Sequence, residues 1–448
     1  MSFPRYPEYK DSGVEWLGEV PAHWDVVKLG LIGVFKGGAG FPEEHQGQTT
    51  FDIPFFKVGD IGQADVDGAL RNANHTISQD TARLLRARVL PVWTIVFAKV
   101  GAALLLQRYR WLGQPSCIDN NMMGLIVNRN CVPQFLLHLL PLLDLSMLAN
   151  PGAVPSINEE QISNHRVVLP PLPEQVAISN FLDRETAKID ELVAEQQRLI
   201  ELLKEKREAV ISLAVTKGLN PNAPMKPSGV EWLGEVPAHW AVLPLKRLIA
   251  DDTSISYGIV QPGEPLATGV PFVQTTNMSS GTFDLDSLQR TSAEIASAYP
   301  RSALTGGEVI LGIRASIGAA HVVPMELAGA NLSRGVARIV PGCRVTSQYL
   351  VAYFGTAAVA WYWELSKQGS TFNEVSIATV RELAVCVPPD DEQVATVGYI
   401  DIKLKQFDAL AVEAQRAIEL LQERRTALIS AAVTGQIDVR AIADRAAA

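Results

Sequence analysis

A thirteen-residue string occurs twice in this chain: SGVEWLGEVPAHW fills Ser12–Trp24 and again Ser228–Trp240. Chance does not produce an identity of that length, so the fold must be built from two copies of one plan. A second repeat lies downstream at nearly the same offset. PPLPEQVA at Pro170–Ala177 matches PPDDEQVA at Pro388–Ala395, and the match runs without gaps to LAVT (Leu213–Thr216) and AAVT (Ala431–Thr434). Between these anchors the halves diverge but keep an outline. DIPFFKVGDI (Asp52–Ile61) parallels GVPFVQTTNM (Gly269–Met278), and TIVFAKVGAA (Thr94–Ala103) parallels VILGIRASIGAA (Val309–Ala320). Asn120 and Asn121 fall near the counterpart of Asn331. Like flanks around unlike middles suggest one scaffold holding two different recognition surfaces.

The segments after each PP motif read as long helices. From Glu174 to Thr216 there is no Gly or Pro, and Ala, Leu, Glu, Lys and Gln dominate. Leu182, Glu185, Ile189, Leu192, Gln196, Leu199, Leu203, Lys206, Val210 and Leu213 recur in steps of three and four. The copy is Ile400, Lys403, Phe407, Leu410, Ala414, Ala417, Leu421, Arg424, Leu428 and Ala431. These are heptad seams, each needing a partner, and the nearest partner is the other copy. Heptads alone do not fix direction. An antiparallel pair is expected, because it puts the two heads at opposite ends under a pseudo-twofold axis. The Pro- and Asn-rich linker Lys217–Ser228 ends the first helix.

The middles read as mixed α+β. Short β-rich runs at Ile53–Val58, Thr94–Lys99, Gly124–Val127, Val309–Ile313 and Val336–Val340 are bounded by Gly, Pro and Asn, and one helix is expected in each half, Pro133–Ala149 and Thr346–Ser366. The expected division is a first head at 1–170, a helix at 171–217, a second head at 218–387, a helix at 388–434 and a loose tail at 435–448.

Net charge is −9, which argues against coating nucleic acid by charge alone. Two stretches run against that balance. Seven basic residues and one acid, Asp80, lie between Arg71 and Arg110; six arginines face three glutamates between Arg290 and Arg344. The four cysteines, Cys117, Cys131, Cys343 and Cys386, form no CxxC pair, so isolated reduced thiols are expected. No run reaches the roughly 18–20 uncharged apolar residues of a membrane helix, and the start carries no signal pattern; a cytoplasmic protein is expected.

Catalytic signatures are missing. There is no Gly-Lys pair for a Walker A loop, and Gly37, Gly38 and Gly40 lack the GxGxxG spacing. The PP pairs sit in LPPL and VPPD rather than in the Asn/Asp-Pro-Pro-aromatic motif of adenine methyltransferases. A nuclease-like string from Pro389, Asp390, Asp401 and Lys403 falls inside the helical repeat. No catalytic residue, metal ligand or cofactor site is expected.

The duplicated G-V-E-W-L-G-x-V-P-x-H-W opening, the I/V-P-F strand and the PP-x-x-EQ-x-A motif leading into a coiled-coil helix resemble the specificity subunits of Type I restriction–modification systems. The likeness covers nearly the whole chain. It implies two target-recognition domains, each reading half of a split double-stranded DNA sequence, and two helices that set the gap between half-sites. It further implies two methyltransferase (modification) subunits and restriction/translocase subunits as partners, which would hold any S-adenosylmethionine, Mg²⁺ or ATP.

Base readout favours Arg on guanine and Asn or Gln on adenine, with Lys and Arg on phosphates. On that basis the first head offers Lys57, Arg83, Arg86, Arg88, Lys99, Arg108, Arg110, Asn120 and Asn121. The second offers Gln274, Asn277, Arg290, Arg301, Arg314, Asn331 and Arg334. Trp16, Trp24, Trp232 and Trp240 are identical in both copies and cannot distinguish two sequences, so they are assigned to packing the heads on the helices. Glu174, Gln175, Glu392 and Gln393 are assigned to helix starts. The competing reading is a duplicated coiled-coil scaffold that binds only proteins; a self-sufficient methyltransferase is a third, opposed by the missing motifs.

Overall fold

The computed structural model describes residues 3–150, 154–280, 283–366 and 374–440. Two compact units emerge: Met1–Glu195 with Ala417–Ala448, and Gln196–Arg416. Each takes one head, one end of the first long helix and one end of the second. The class is α+β.

In the first unit a five-stranded sheet runs in the order Gly33–Gly37, Met122–Val127, Ile95–Ala98, Arg110–Leu112, Ala69–Leu70. A three-stranded sheet has Ile53–Phe56 at its centre, parallel to Cys117–Ile118 and antiparallel to Thr76–Ile77. The second unit repeats the plan. Ser256–Tyr257, Val336–Ile339, Val309–Gly312 and Ala320–Val322 make one sheet. Val270–Val273 lies between Asn331–Leu332, parallel, and Arg290–Thr291, antiparallel. All five β-rich runs read from the sequence are strands. IVFA (Ile95–Ala98) and VILG (Val309–Gly312) are buried at every position, because both sheet faces are covered. Each expected post-sheet helix is broken instead. Pro141 turns the first into Pro133–Leu139 and Leu145–Leu148, and Gly355 ends Ser347–Phe354 before Ala357–Ser366 begins.

The long helices are Leu172–Lys217, 46 residues, and Asp390–Val433, 44 residues, each about 65–70 Å at 1.5 Å per residue. Within each unit their segments run antiparallel. In the first, Ile178, Phe181, Leu182 and Ile189 share a core with Leu428, Ala432 and Val433, and Arg425 Nε lies 3.0 Å from Asp190 Oδ1. In the second, Ala214 and Val215 share a core with Ile400, and Arg207 pairs with Asp408. The ungapped repeat makes these two ion pairs counterparts: Asp190 matches Asp408 and Arg207 matches Arg425.

Only part of the seam is buried. Leu182, Ile189 and Leu203, and on the second helix Ile400, Ala414 and Leu428, are buried. Leu192, Leu199, Leu213 and Leu410 are exposed. One helix covers a single line of its partner, so several alternate seam positions stay open.

The duplicated motifs explain themselves at the helix starts. Trp24 and Trp240 are fully buried. Their indole N–H groups donate to Glu174 (3.0 Å) and Glu392 (2.8 Å), and His23 and His239 lie 2.7 Å from the same carboxylates. Gln175 accepts from the Val132 N–H and donates to the Pro170 carbonyl; Gln393 accepts from the Thr346 N–H and donates to the Arg344 and Pro388 carbonyls. Fully buried amides satisfied at both ends fasten each head to its helix. Trp16 stacks near His165 and Trp232 near Tyr362, also as packing.

The stretch after Gly435, expected to be loose, is packed as far as Arg440: Val439 is buried and the Asp438 N–H donates to the Pro4 carbonyl. Residues 441–448 of that expected tail lie outside the described residues. Cys117, Cys131 and Cys386 are free and buried, and burial pushes their thiols up to about 11, 12 and 11 respectively. Among the described residues no helix is long and apolar enough to cross a membrane.

Candidate nucleic-acid interface

Each head carries the same framework at the end of its central strand. In the first, the chain leaves Ile53–Phe56 into a turn where Asp60 accepts the Lys57 N–H at 2.7 Å. In the second, it leaves Val270–Val273 where Asn277 accepts the Gln274 N–H at 2.9 Å. A neighbouring segment passes alongside through the bridges Ala39 to Asp119 and Ile259 to Ser333. That approach demands glycine. A Cβ on Gly38 would sit 2.0 Å from the Asp119 carbonyl oxygen, and one on Gly258 1.8 Å from that of Leu332.

In the second head this framework surrounds a cleft of about 610 Å³, lined in part by Gln274, Thr275, Arg314, Ala315 and Arg334. One carboxylate organises the two guanidinium groups: Glu374 Oε2 is 2.7 Å from Arg314 Nε and 3.8 Å from Arg334 Nη2. Gly335 permits the close packing, since a Cβ there would meet Thr275 Cγ2 at 2.3 Å. Ala315 holds φ at +53°, a left-handed conformation costly for alanine. Gln274 donates to Gln289 at 3.2 Å. Two guanidinium groups and an amide around one concavity form a donor-rich surface suited to base edges and phosphates.

Strand register identifies the matching positions in the first head. Phe55 pairs with Cys117 as Phe272 pairs with Asn331. Counting on from those pairs, Lys57 matches Gln274, Asn120 matches Arg334 and Asn121 matches Gly335. Lys57 Nζ donates to Gln46 at 3.0 Å, while Asn120 and Asn121 are exposed. Beneath them Asp119 accepts the Asn121 N–H at 2.7 Å, and burial raises its pKa. Lys99 lies beside Gly37. The two heads share this frame and differ in the residues set on it.

Asn331 is corrected by its surroundings. It is buried, accepts from Ser302 Oγ at 2.6 Å and from the Leu332 N–H at 2.8 Å, and so braces a strand rather than facing solvent. Its true counterpart is Cys117. Asn277 acts as the cap on Gln274. Arg290 donates to the Gly269 and Leu285 carbonyls and ties down a loop. Arg83, Arg86 and Arg88 are exposed on the helix Gln79–Leu84 and its exit, with Arg83 paired to Asp80 at 3.1 Å. Arg301 is exposed. Arg108 and Arg110 stand together, and desolvation followed by the charge of Arg108 lowers the pKa of Arg110. Arg110 Nε is buried with no hydrogen-bond partner among the described residues. Sequence reasoning missed Glu374, whose link to Arg314 no local motif announces. It also missed the buried pair of Arg338 with Glu308, 3.0 Å.

A family model described as the Type I restriction modification DNA specificity domain matches residues 21–202. The Escherichia coli type I restriction enzyme EcoBI specificity subunit is 22% identical over 335 residues, 73% of this chain and 70% of that protein. A Methanocaldococcus jannaschii protein assigned as the MjaX type I specificity subunit is 23% identical over 448 residues, 95% of this chain and 96% of that protein. Over nearly its whole length the chain is similar to Type I restriction–modification specificity subunits. Solved structures share its fold. The HsdS subunit from Thermoanaerobacter tengcongensis superposes with a TM-score of 0.57 at 18% identity, covering 93% of this chain and 98% of that one. A chain from a study of complex assembly and conformational transition in the type I R-M system gives a TM-score of 0.68 at 18% identity, covering 92% and 98%. The family model takes in the first head and most of the first long helix; the MjaX likeness extends through the second half as well.

Proposed function

We propose that each head of this specificity subunit reads one half of a split duplex target, with the cleft beyond the central strand as its reading surface. The observation that carries this is the pair of matched strand-end frames bearing different residues: Lys57, Asn120 and Asn121 on one, Gln274, Arg314 and Arg334 around the cleft of the other. Two readers of one design but unlike chemistry suit two unlike half-sites. The exposed cations Arg83, Arg86, Arg88, Arg108 and Arg301, with the half-buried Lys99 and Arg110, supply phosphate contacts. The boundaries that go with this reading are heads at 1–170 and 218–387 and helices at 171–217 and 388–434.

The chain itself carries no catalysis in this reading. Its exposed Leu192, Leu199, Leu213 and Leu410 offer an apolar platform on the long helices for two modification subunits, with restriction/translocase subunits joining for cleavage in the cytoplasm. A chain of net charge −9 draws much of its DNA affinity from those partners. Gel-shift binding of the reconstituted methyltransferase complex to split-site DNA tests the proposal. Strong preference for one bipartite sequence is expected; affinity indifferent to sequence would leave only the protein-binding scaffold.

A further inference from the structure

The two repeats place the same carboxylate in two different settings. In the first unit Glu174 is enclosed, its side chain 10% exposed. Besides His23 and Trp24 it accepts the Tyr6 hydroxyl at 3.1 Å, and the Arg440 guanidinium approaches to 3.8 Å. Arg440 is held by Asp438 at 2.7 Å and lies over the Tyr6 ring, 4.8 Å from its centroid. In the second unit Glu392 keeps the His239 and Trp240 contacts, yet its side chain is 40% exposed. Beside it opens a cavity of about 270 Å³, bordered by Gly218, Asn220, Ala223, His239, Glu392 and Thr396.

The register explains why one socket is filled and the other open. Counted from the helix repeat, Arg440 matches Asn222; counted from the opening repeat, Tyr6 also matches Asn222. One short linker residue stands where the first unit brings two large side chains from two chain ends. Asn222 is exposed and does not fill the space. What is left is an acid, backed by a buried indole donor, facing room for a planar cation.

We propose that this cavity receives an arginine side chain from a partner polypeptide of the assembly, seated against Glu392 as Arg440 is seated against Glu174. The partner rests on the assembly reading above; the socket does not. The guanidinium supplies the charge and hydrogen-bond donors that the linker cannot. Lys217, which also borders the cavity, is engaged with the Glu235 carbonyl.

The test uses the full chain with N-acetyl-arginine amide as probe and the Trp240 indole N–H resonance, assigned through Trp240→Phe, as readout. Saturable shifts of that resonance are expected with the arginine probe and not with the uncharged citrulline amide. Glu392→Gln should weaken binding roughly tenfold or more, as expected for loss of a charged hydrogen-bond partner. Ala223→Phe, which narrows the cavity without touching the acid, should abolish binding even if Glu392→Gln perturbs the fold. Arg440→Ala should make the Trp24 indole respond as well. Equal shifts with citrulline amide, or no saturable shift, would overturn the socket. Adding the modification subunit should displace the probe; a probe that stays bound in the assembled complex would overturn the partner assignment. Neither outcome depends on whether the heads discriminate DNA sequences.

Discussion

The strand-end surfaces of the two heads stand in contrast to the junctions that fasten those heads to the helices. At the junctions Trp24 and Trp240, His23 and His239, Glu174 and Glu392, and Gln175 and Gln393 are the same residues sharing the same indole, imidazole and amide contacts, although Glu174 alone also meets Tyr6 and Arg440. At the strand ends Lys57 answers to Gln274 and Asn120 to Arg334. Joining a head to a helix is one physical task and has one solution. Reading two half-sites is two tasks, and there the side chains of the copies part. The division also ranks what a substitution should do: stability at the junction, selectivity at the cleft.

The largest effect should fall on the junctions. Trp24→Ala empties a fully buried site and removes the indole donor from Glu174, so the first unit should lose about 3–5 kcal/mol, the usual range for Trp deleted from a core. Trp240→Ala should cost the second unit a similar amount. Calorimetry on each variant checks this, and a loss confined to DNA selectivity would break the contrast. At the clefts the expectation is reversed. Arg334→Ala should leave the melting profile nearly unchanged and relax preference at one base pair of one half-site, by about 1–3 kcal/mol. Asn120→Ala, its counterpart, should act only on the other half-site. Competition binding against single-base variants measures both.

Much of this architecture could be read in the letters, for physical reasons. Identical strings had to mean identical contacts, and a stretch free of Gly and Pro with a heptad seam had to be a helix. The antiparallel sense within each unit was an expectation that Asp190 with Arg425, and Arg207 with Asp408, bear out. The site was less legible. Asn331 looked like a base reader because residue type carries no information on burial, and its strand partner Phe272 lies far away in sequence. Glu374 joins Arg314 across a long separation, and no spacing rule reports such a contact. The exposed Leu192 and Leu199 followed the seam perfectly in sequence, yet one partner helix has too little surface to cover them. A polar, alanine-rich tail reads as loose, and nothing local in its letters places Arg440 against Glu174 and Tyr6.

The smallest effect should come from the interhelical ion pairs. Both are solvent-accessible, and exposed pairs contribute about 0–1 kcal/mol. Asp190→Asn and Arg207→Ala should therefore shift the melting temperature by little, and less still in high salt. A loss rivalling that of Trp24→Ala would mean that charge, rather than the buried junction, orders the helices.

The central claim is that two separate readers act on two separate pieces of duplex. Its most direct test is to exchange residues 25–150 for the corresponding head of another specificity subunit and sequence the modified bases in a host carrying the cognate modification subunit. One half of the recognised sequence should change while the other half stays as it was. Simultaneous change in both halves, or none in either, would contradict it.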